Sequence, residues 1–512
     1  MRKTALTILL LCLSVWCGQA QGFVSESARE AFSRGNLWKD AANASGLAVA
    51  PQVRYGDFSL TGGIVDGRFR PAREAVGSTE VSAHTEGATA LGRMQLWGDF
   101  SFRNIFDRGR NFDVSMYGVP DDMPYFLLDA NESRWIQQEY EMGAKAALPL
   151  GDRWAAGLSV HYADKVGAKQ KDPRSEDYVM DIEVVPGILW KLGDAHVLGW
   201  DARFCYDYER SYPSNANASL NQDVYTVLGL GEGSLQKVGG NDGMKEYYYT
   251  TWRYGGAVQY GYTGSWRLLA EAAFHLQNVE VMHQKSLPKN MGHTDQTALE
   301  GSVQVLWGMA NSNKLVARAR YKTTDGIEKV QQRDNTAFNQ KWVTIAENKM
   351  SRYDRTEVAA SYDHLFGAGK PDGYDAKVGG RASFTMEDDA YFIPASSFRW
   401  SRLFAGAFAA RQFRIKAVRL LAEASAGYGL SLEGAYTYGG TKVDSPAVEM
   451  YRLDSIYYGT DFAQVGAAAT CTLPSRGRVR YNLGLDADCR FAVGADEAAH
   501  RTVCALRFGV SF

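Results

Sequence analysis

The sequence predicts an all-β fold: a transmembrane antiparallel up-and-down β-barrel with short turns at one end and long loops at the other. Three observations carry this expectation. The first is strict alternation. In "RVRYNLGLDADCRFAV", Val479, Tyr481, Leu483, Leu485, Ala487, Cys489 and Phe491 share one face, while Arg478, Arg480, Asn482, Asp486, Asp488 and Arg490 share the other. A period of two means strands, because successive side chains point to opposite faces. The second is length. Many segments outrun the roughly 5–6 residues of a soluble strand and reach the roughly 9–11 that a tilted membrane strand needs. The third is the position of Trp154, Trp190, Trp266 and Trp307 on apolar faces beside short turns, where such rings settle at a lipid–water boundary. A water-soluble sandwich also alternates, with its apolar face turned inward. The three features together favour lipid outside and a wet, charged interior, and an alternating final strand ending on Phe512 agrees.

The elements follow in order. Residues 1–20 read as a secretory signal: basic Arg2 and Lys3, an apolar run from Ala5 to Trp16, then Gly18 and Ala20, with the mature chain beginning near Gln21. Residues 21–48 form an N-terminal periplasmic or plug element, in which "SESAREAFSRG" reads as a short helix capped by Ser25 or Ser27. The barrel occupies 49–512. From Thr89 onward the pattern gives about sixteen strands, and "PQVRYGDFSLTGG" with the segment to Ala83 adds a hairpin if it pairs, so the range is about fourteen to eighteen. "LGDRW", "LGDAH", "YTGSW" and "GAGKPDG" are short periplasmic turns, and the longest outer loop runs from Pro213 to Lys245. Closure is required because an open sheet edge in lipid strands unpaired backbone groups.

Composition narrows the classes. The 56 Lys and Arg against 58 Asp and Glu exclude a strongly charged partner, and no nucleic acid is expected. No linker divides the chain, and after the signal no apolar run reaches the ~18 residues of a transmembrane helix. Mean hydropathy is −0.31, as expected when half of each strand faces water.

By parity, acids crowd the inward face of the early strands: Glu139, Glu141, Asp181, Glu183, Asp201, Asp207 and Glu209, with Arg203 among them. Bases follow at Arg318, Arg320 and Lys322, then at Arg478, Arg480, Arg490 and Arg507. Two readings stay open. Opposed acid and base walls set up a transverse field that orients dipolar solutes. Alternatively, the charges pair with one another and hold a plugged barrel shut.

Other groups carry less. His283 and His293, with Met282 and Met291, flank "HQKSLPKNMGH", a donor set that suits a soft metal, but loop histidines without a ligand role are commoner. Cys489 and Cys504 point to the same face, either as a disulfide or as two free apolar thiols. Ser159 and His161 share a face without a third partner, and "DPRSED" reads as a turn with an internal Arg174–carboxylate pair. No phosphate loop, zinc spacing or calcium loop occurs. No cofactor, metal or catalytic residue is therefore assigned, and the chain is expected not to be an enzyme.

"NLWKDAANASGLA", "PYFLLDA" at Pro124–Ala130, "EYEMG" at Glu139–Gly143 and "KDPRSED" at Lys171–Asp177 together resemble an uncharacterised outer-membrane β-barrel family of Bacteroidota. "NASGL" is also similar to the start of fatty-acid-transporter-like barrels. The resemblance spans most of the mature chain through short motifs. It implies a place in the outer membrane and nutrient uptake beside a TonB-dependent receptor. The expected function is to assist passage of a small polar solute, with outer-membrane lipid as the surroundings. The alternative is a non-enzymatic barrel whose extracellular loops dock a neighbouring receptor or surface lipoprotein.

Overall fold

The computed structural model describes residues 23–50, 54–116, 123–217, 219–238, 246–283, 287–309, 311–336, 340–474, 479–494 and 499–512. The signal segment and Arg478 lie outside the described residues.

Eighteen antiparallel strands form one sheet. They are β1 (Tyr55–Asp66), β2 (Gly77–Leu91), β3 (Met94–Arg110), β5 (Ser133–Leu150), β6 (Trp154–Lys169), β7 (Arg174–Lys191) and β8 (His196–Ser214) in the first part. The ring continues with β11 (Tyr247–Thr263), β12 (Trp266–His283), β13 (Lys289–Trp307), β14 (Asn311–Asp334), β15 (Lys341–Phe366), β16 (Ala376–Tyr391), β17 (Ser396–Ile415) and β18 (Val418–Thr437). It ends with β19 (Asp461–Leu473), β20 (Arg480–Val493) and β21 (His500–Ser511). β1 pairs with both β2 and β21, which closes the sheet on itself. The expectation of about sixteen strands falls short by the β1–β2 hairpin, which the alternation before Thr89 signals only weakly: glycine and threonine stand where a larger apolar residue would mark the outer face.

Three further strands leave the ring. β9 (Gln222–Gly229) and β10 (Glu232–Val238) form a hairpin, and β4 (Phe126–Leu128) pairs with β9. The expected long loop from Pro213 to Lys245 therefore contains a folded hairpin, with 239–245 outside the described residues.

The outer surface is apolar. Leu299, Val303, Leu483, Leu485, Leu506 and Phe508 are all exposed on it. Trp154 stacks on Trp190 with ring centroids 5.6 Å apart, and Trp266 stands opposite Trp307 in the ladder. These four rings form a tier beside the short turns. A second tier holds Tyr206 against Trp252 at 4.7 Å and Tyr208 against Tyr248 at 6.1 Å. On β8, about eight residues separate Leu198, opposite Trp190, from Tyr206. At about 3.3 Å each, that is about 26 Å along a strand and roughly 20 Å of height at a usual barrel tilt.

Candidate functional site: a lumen closed at both mouths

The chain's own segments occupy the two ends of the bore. At the short-turn end lies residues 23–50. The helix Glu26–Gly35 starts at Ser25, whose side chain accepts from the Ala28 amide, as the Ser-rich start leads one to expect. Ser25 and Ser27 hydroxyls donate to the Asp372 carbonyl at 2.7 and 2.9 Å, tying the helix to the β15–β16 turn. Arg34 bonds Asp363 at 2.5 Å and Ser312 at 2.6 Å, and Arg267 donates to the Gly35 carbonyl at 2.7 Å. Lys377 meets Glu30 at 3.1 Å, and Lys39 meets Glu86 at 2.8 Å.

From there the segment crosses to the opposite wall. Lys145 donates to the carbonyls of Lys39 and Ala41 at 2.7 and 2.9 Å. Asn43 is fully buried. Its oxygen accepts from the Ser45 amide, starting the 3-10 turn Ala44–Ala48. Its amide nitrogen donates to the Ile188 and Trp200 carbonyls at 3.3 and 3.1 Å and to Gln259 at 2.9 Å. This approach needs a wall without side chains. Gly157 and Gly187 face each other in the ladder, and a Cβ on either would collide with Ser45 or Asn43. Sequence reasoning missed these glycines. Their signal is a small residue on the inward face of adjacent strands, in "WAAGLS" and "VVPGILW".

Leu37 and Trp38 of the N-terminal segment are buried with Ala155, Leu189, Leu269 and Leu306. The long-loop end is closed by other segments. The β9–β10 hairpin reaches to the β15–β18 wall and inserts Leu230, which is fully buried among Tyr353, Tyr391, Phe398 and Trp400. The Tyr436 hydroxyl donates to the Leu230 carbonyl at 3.0 Å. Behind the tip, Glu232 pairs with Lys442 and accepts from Tyr438 at 2.8 Å. Gly229, Leu230 and Gly231 all have positive φ, of 149°, 42° and 92°. Two of them are glycine, for which this region is free, and Leu230 holds a conformation that L side chains disfavour. The helix Pro446–Tyr458 packs Ala447 and Met450 against Phe126, Tyr225 and Val227. It was not anticipated, although Ser445 as N-cap, Pro446 at the first turn and Gly459 after the end signal it.

Between the closures the inward charges pair locally. Glu139 binds Arg103 at 3.0 Å, Glu141 lies 3.5 Å from Lys165, and Asp181 lies 3.5 Å from His161 while accepting the Cys205 thiol at 3.2 Å. Arg203 bridges Asp201 at 2.8 Å and Glu271 at 3.0 Å. Glu209 is fully buried and accepts from the Met116 amide at 3.0 Å, beneath the β3–β5 loop. Asp207 stands opposite Asp181 in the ladder, and Glu183 stands opposite Cys205. Arg320 binds Glu300 at 3.0 Å, and with Arg318 it lines a cavity of about 500 Å³ that Asp40 of the N-terminal segment also lines. Lys322 is buried opposite Arg355. Arg480 donates to the Val479 carbonyl at 3.0 Å, Arg490 lies 5.8 Å from the Phe462 ring, and Arg507 lies 3.6 Å from Glu26. Acids and bases thus meet on neighbouring strands. In the ring order β14 stands four strands from β8 and seven from β5, so Glu139 and Glu141 stand more nearly across the bore from Arg318 and Arg320 than Asp201 and Asp207 do.

Two smaller readings resolve. Cys489 lies opposite Thr502 and Cys504 opposite Ala487, an offset that leaves both thiols free, and Cys489 contacts the Thr502 hydroxyl at 3.2 Å. His283 pairs with Lys289 and His293 with Glu280, so the two histidines sit apart along the ladder. Among the described residues no cluster of three or more metal-binding side chains occurs. The expected Arg174–carboxylate pair is present, to Asp172 at 3.1 Å.

A family model matches residues 44–512. The chain belongs to the family of unknown function DUF6850. No curated protein matches it. Solved structures similar to this DUF6850 chain include the ferric preacinetobactin receptor of Acinetobacter baumannii, at 9% identity over 90% of this chain and 80% of that one, with a TM-score of 0.40. The ferric-catecholate import receptor of E. coli K12 matches at 8% identity over 90% and 82%, with a TM-score of 0.41. Pseudomonas aeruginosa OccK9 matches at 10% over 90% and 97%, with a TM-score of 0.35.

Proposed function

We propose that this DUF6850 protein sits in an outer membrane and lets a small polar solute through a water-lined lumen that its own segments close at rest. The observation that carries this reading is the half-open cavity on the barrel wall lined by Arg318, Arg320, Glu300 and Glu357, with Asp40 and Ala41 of the N-terminal segment beside it. A barrel serving only as a scaffold has no need of a charged interior with room left in it. The apolar outer face and its two aromatic tiers support the membrane placement. A neighbouring TonB-dependent receptor or surface lipoprotein is a compatible partner on the outer side. The mechanism is non-covalent: the solute exchanges bulk water for a row of fixed ion pairs whose spare donors and acceptors replace hydration.

Planar-bilayer recording of the purified full chain tests this. We expect a mostly silent barrel with rare openings, and frequent openings when Asn43→Ala and Arg34→Ala loosen the N-terminal closure and Leu230→Ala loosens the outer one. A triply substituted protein that inserts normally and stays silent refutes the passage reading.

A further inference from the structure

A second cavity, of about 460 Å³, lies under the long-loop mouth. Its two sides come from opposite arcs of the barrel, since β3 and β5 stand half a turn round the ring from β15–β17. On one side are four rings: Tyr353 of β15, Phe398 of β17, and Tyr451 and Tyr458 of the helix Pro446–Tyr458. On the other are Arg73, Asp107, Arg110 and Gln137.

The polar side is neutralised within itself. Arg73 donates to Asp113 at 2.7 Å, Arg110 reaches Asp107 at 3.3 Å and also pairs with Asp113, and Gln137 donates to Asp107 at 2.7 Å. At the rim Arg501 meets Glu74 at 3.3 Å, and Glu387 is held by Arg355 at 3.4 Å. An ionic ligand finds these counter-charges already engaged, while Asp389 and Asp454 add acceptors on the ring side. A guanidinium carries five donors and a carboxylate two acceptor oxygens, so each pair still offers hydrogen bonds in fixed directions. Asp454 adds an acceptor and is itself oriented by the Ala72 amide at 2.7 Å. The ring side offers flat apolar faces with hydroxyl tips. A ligand that satisfies both sides is uncharged, carries many hydroxyls, and has an apolar C–H face. Its volume fits the range of small-ligand pockets.

We propose that this cavity binds a neutral saccharide, stacked on the Tyr451 and Phe398 side and hydrogen-bonded to the Arg110–Asp107–Gln137 side. The assignment takes its place on a transport route from the passage reading above, but binding itself does not need passage. The site also shares Tyr353, Phe398, Tyr451 and Tyr458 with the group that surrounds Leu230. A bound sugar therefore touches the rings that hold the hairpin tip.

The test is calorimetric titration of the full chain in detergent with maltose and cellobiose, with sodium benzoate and arginine amide as charged comparators. We expect at least one disaccharide to bind, little dependence on salt, and weaker or no binding of the comparators. Tyr451→Leu on the ring side and Gln137→Ala on the polar side should each weaken binding by about tenfold, the scale of a lost aromatic or hydrogen-bonded contact. Tyr451→Phe should bind as the parent does. The proposal is overturned if neither disaccharide binds folded protein, if both weakening variants bind normally, or if arginine amide binds more tightly than the sugars. Binding without conductance rejects passage and keeps this site, and conductance without binding does the reverse.

Discussion

Replacing Leu230 by alanine is the sharpest perturbation of the outer closure. The side chain is fully buried in its aromatic surround, and the hairpin that carries it is not one of the ring strands. The change thus acts on the closure without removing a contact between ring strands. Truncating a buried leucine costs about 2–5 kcal/mol. At about 1.4 kcal/mol per tenfold, the ratio of docked to undocked hairpin falls by between about thirty-fold and a few thousand-fold. The Tyr436 bond to the backbone carbonyl and the Glu232–Lys442 pair remain, so the lower figure is the better guide. Hydrogen exchange over 222–238 reads the effect directly. Protection should drop in Leu230→Ala, while β11 and β12 keep theirs. Leu230→Met, which keeps most of the volume, should sit close to the parent. Unchanged protection of the hairpin in the alanine variant would falsify the view that Leu230 anchors it.

Three further outcomes follow from the same contacts. Burial pushes the Asp454 carboxyl up to about 6 against the Ala72 hydrogen bond and nearby arginines, which pull it down. A raised acid favours the folded form where it is protonated, so the Pro446–Tyr458 helix should dock more firmly as pH falls from 7 towards 5, and Asp454→Asn should flatten that response in exchange measurements. Asn43→Ala removes a cap and three buried bonds to the wall, which costs about 1–3 kcal/mol; limited proteolysis should cut within 23–50 sooner, with the barrel intact, and equal cutting rates would reject the anchoring role. On the membrane placement proposed above, Leu483→Arg puts a charge on the lipid face and should destabilise the barrel by up to about 2–4 kcal/mol, as measured by urea unfolding in lipid.

The outer half of this molecule is written locally in its sequence, and the inner half is not. Alternation around Leu483 and Leu485, or the placing of Trp154 and Trp266 beside turns, depends only on near neighbours, because a strand repeats every two residues. The Ser25 cap is legible for the same reason. The inward positions of Glu139 or Arg320 also follow from parity, but their partners do not. Arg103 meets Glu139 because β3 and β5 adjoin across a loop of unpredictable length. Leu230 meets Tyr436 across 206 residues, and no local period encodes that contact. Gly157 and Gly187 look like interruptions of a strand until Asn43 is seen lying against them. The β1–β2 hairpin is faint in the sequence because glycine and threonine dilute its apolar face.

The two closures differ in how many ion pairs each contains. The N-terminal one adds ion pairs, Arg34 to Asp363, Lys377 to Glu30 and Lys39 to Glu86, to the buried side chains of Leu37 and Trp38. The outer one is held mainly by Leu230 and the rings around it. Raising salt from about 0.1 M to about 1 M shortens the screening length from about 10 Å to about 3 Å, which weakens the first set wherever water reaches it. The same change leaves apolar burial intact, and sulfate strengthens it. Proteolysis within 23–50 should therefore quicken in high sodium chloride, while exchange in 222–238 holds steady or slows in sodium sulfate. If both segments loosen together in salt, the closures are not independent, and a solute acting on the outer mouth would also move the inner one.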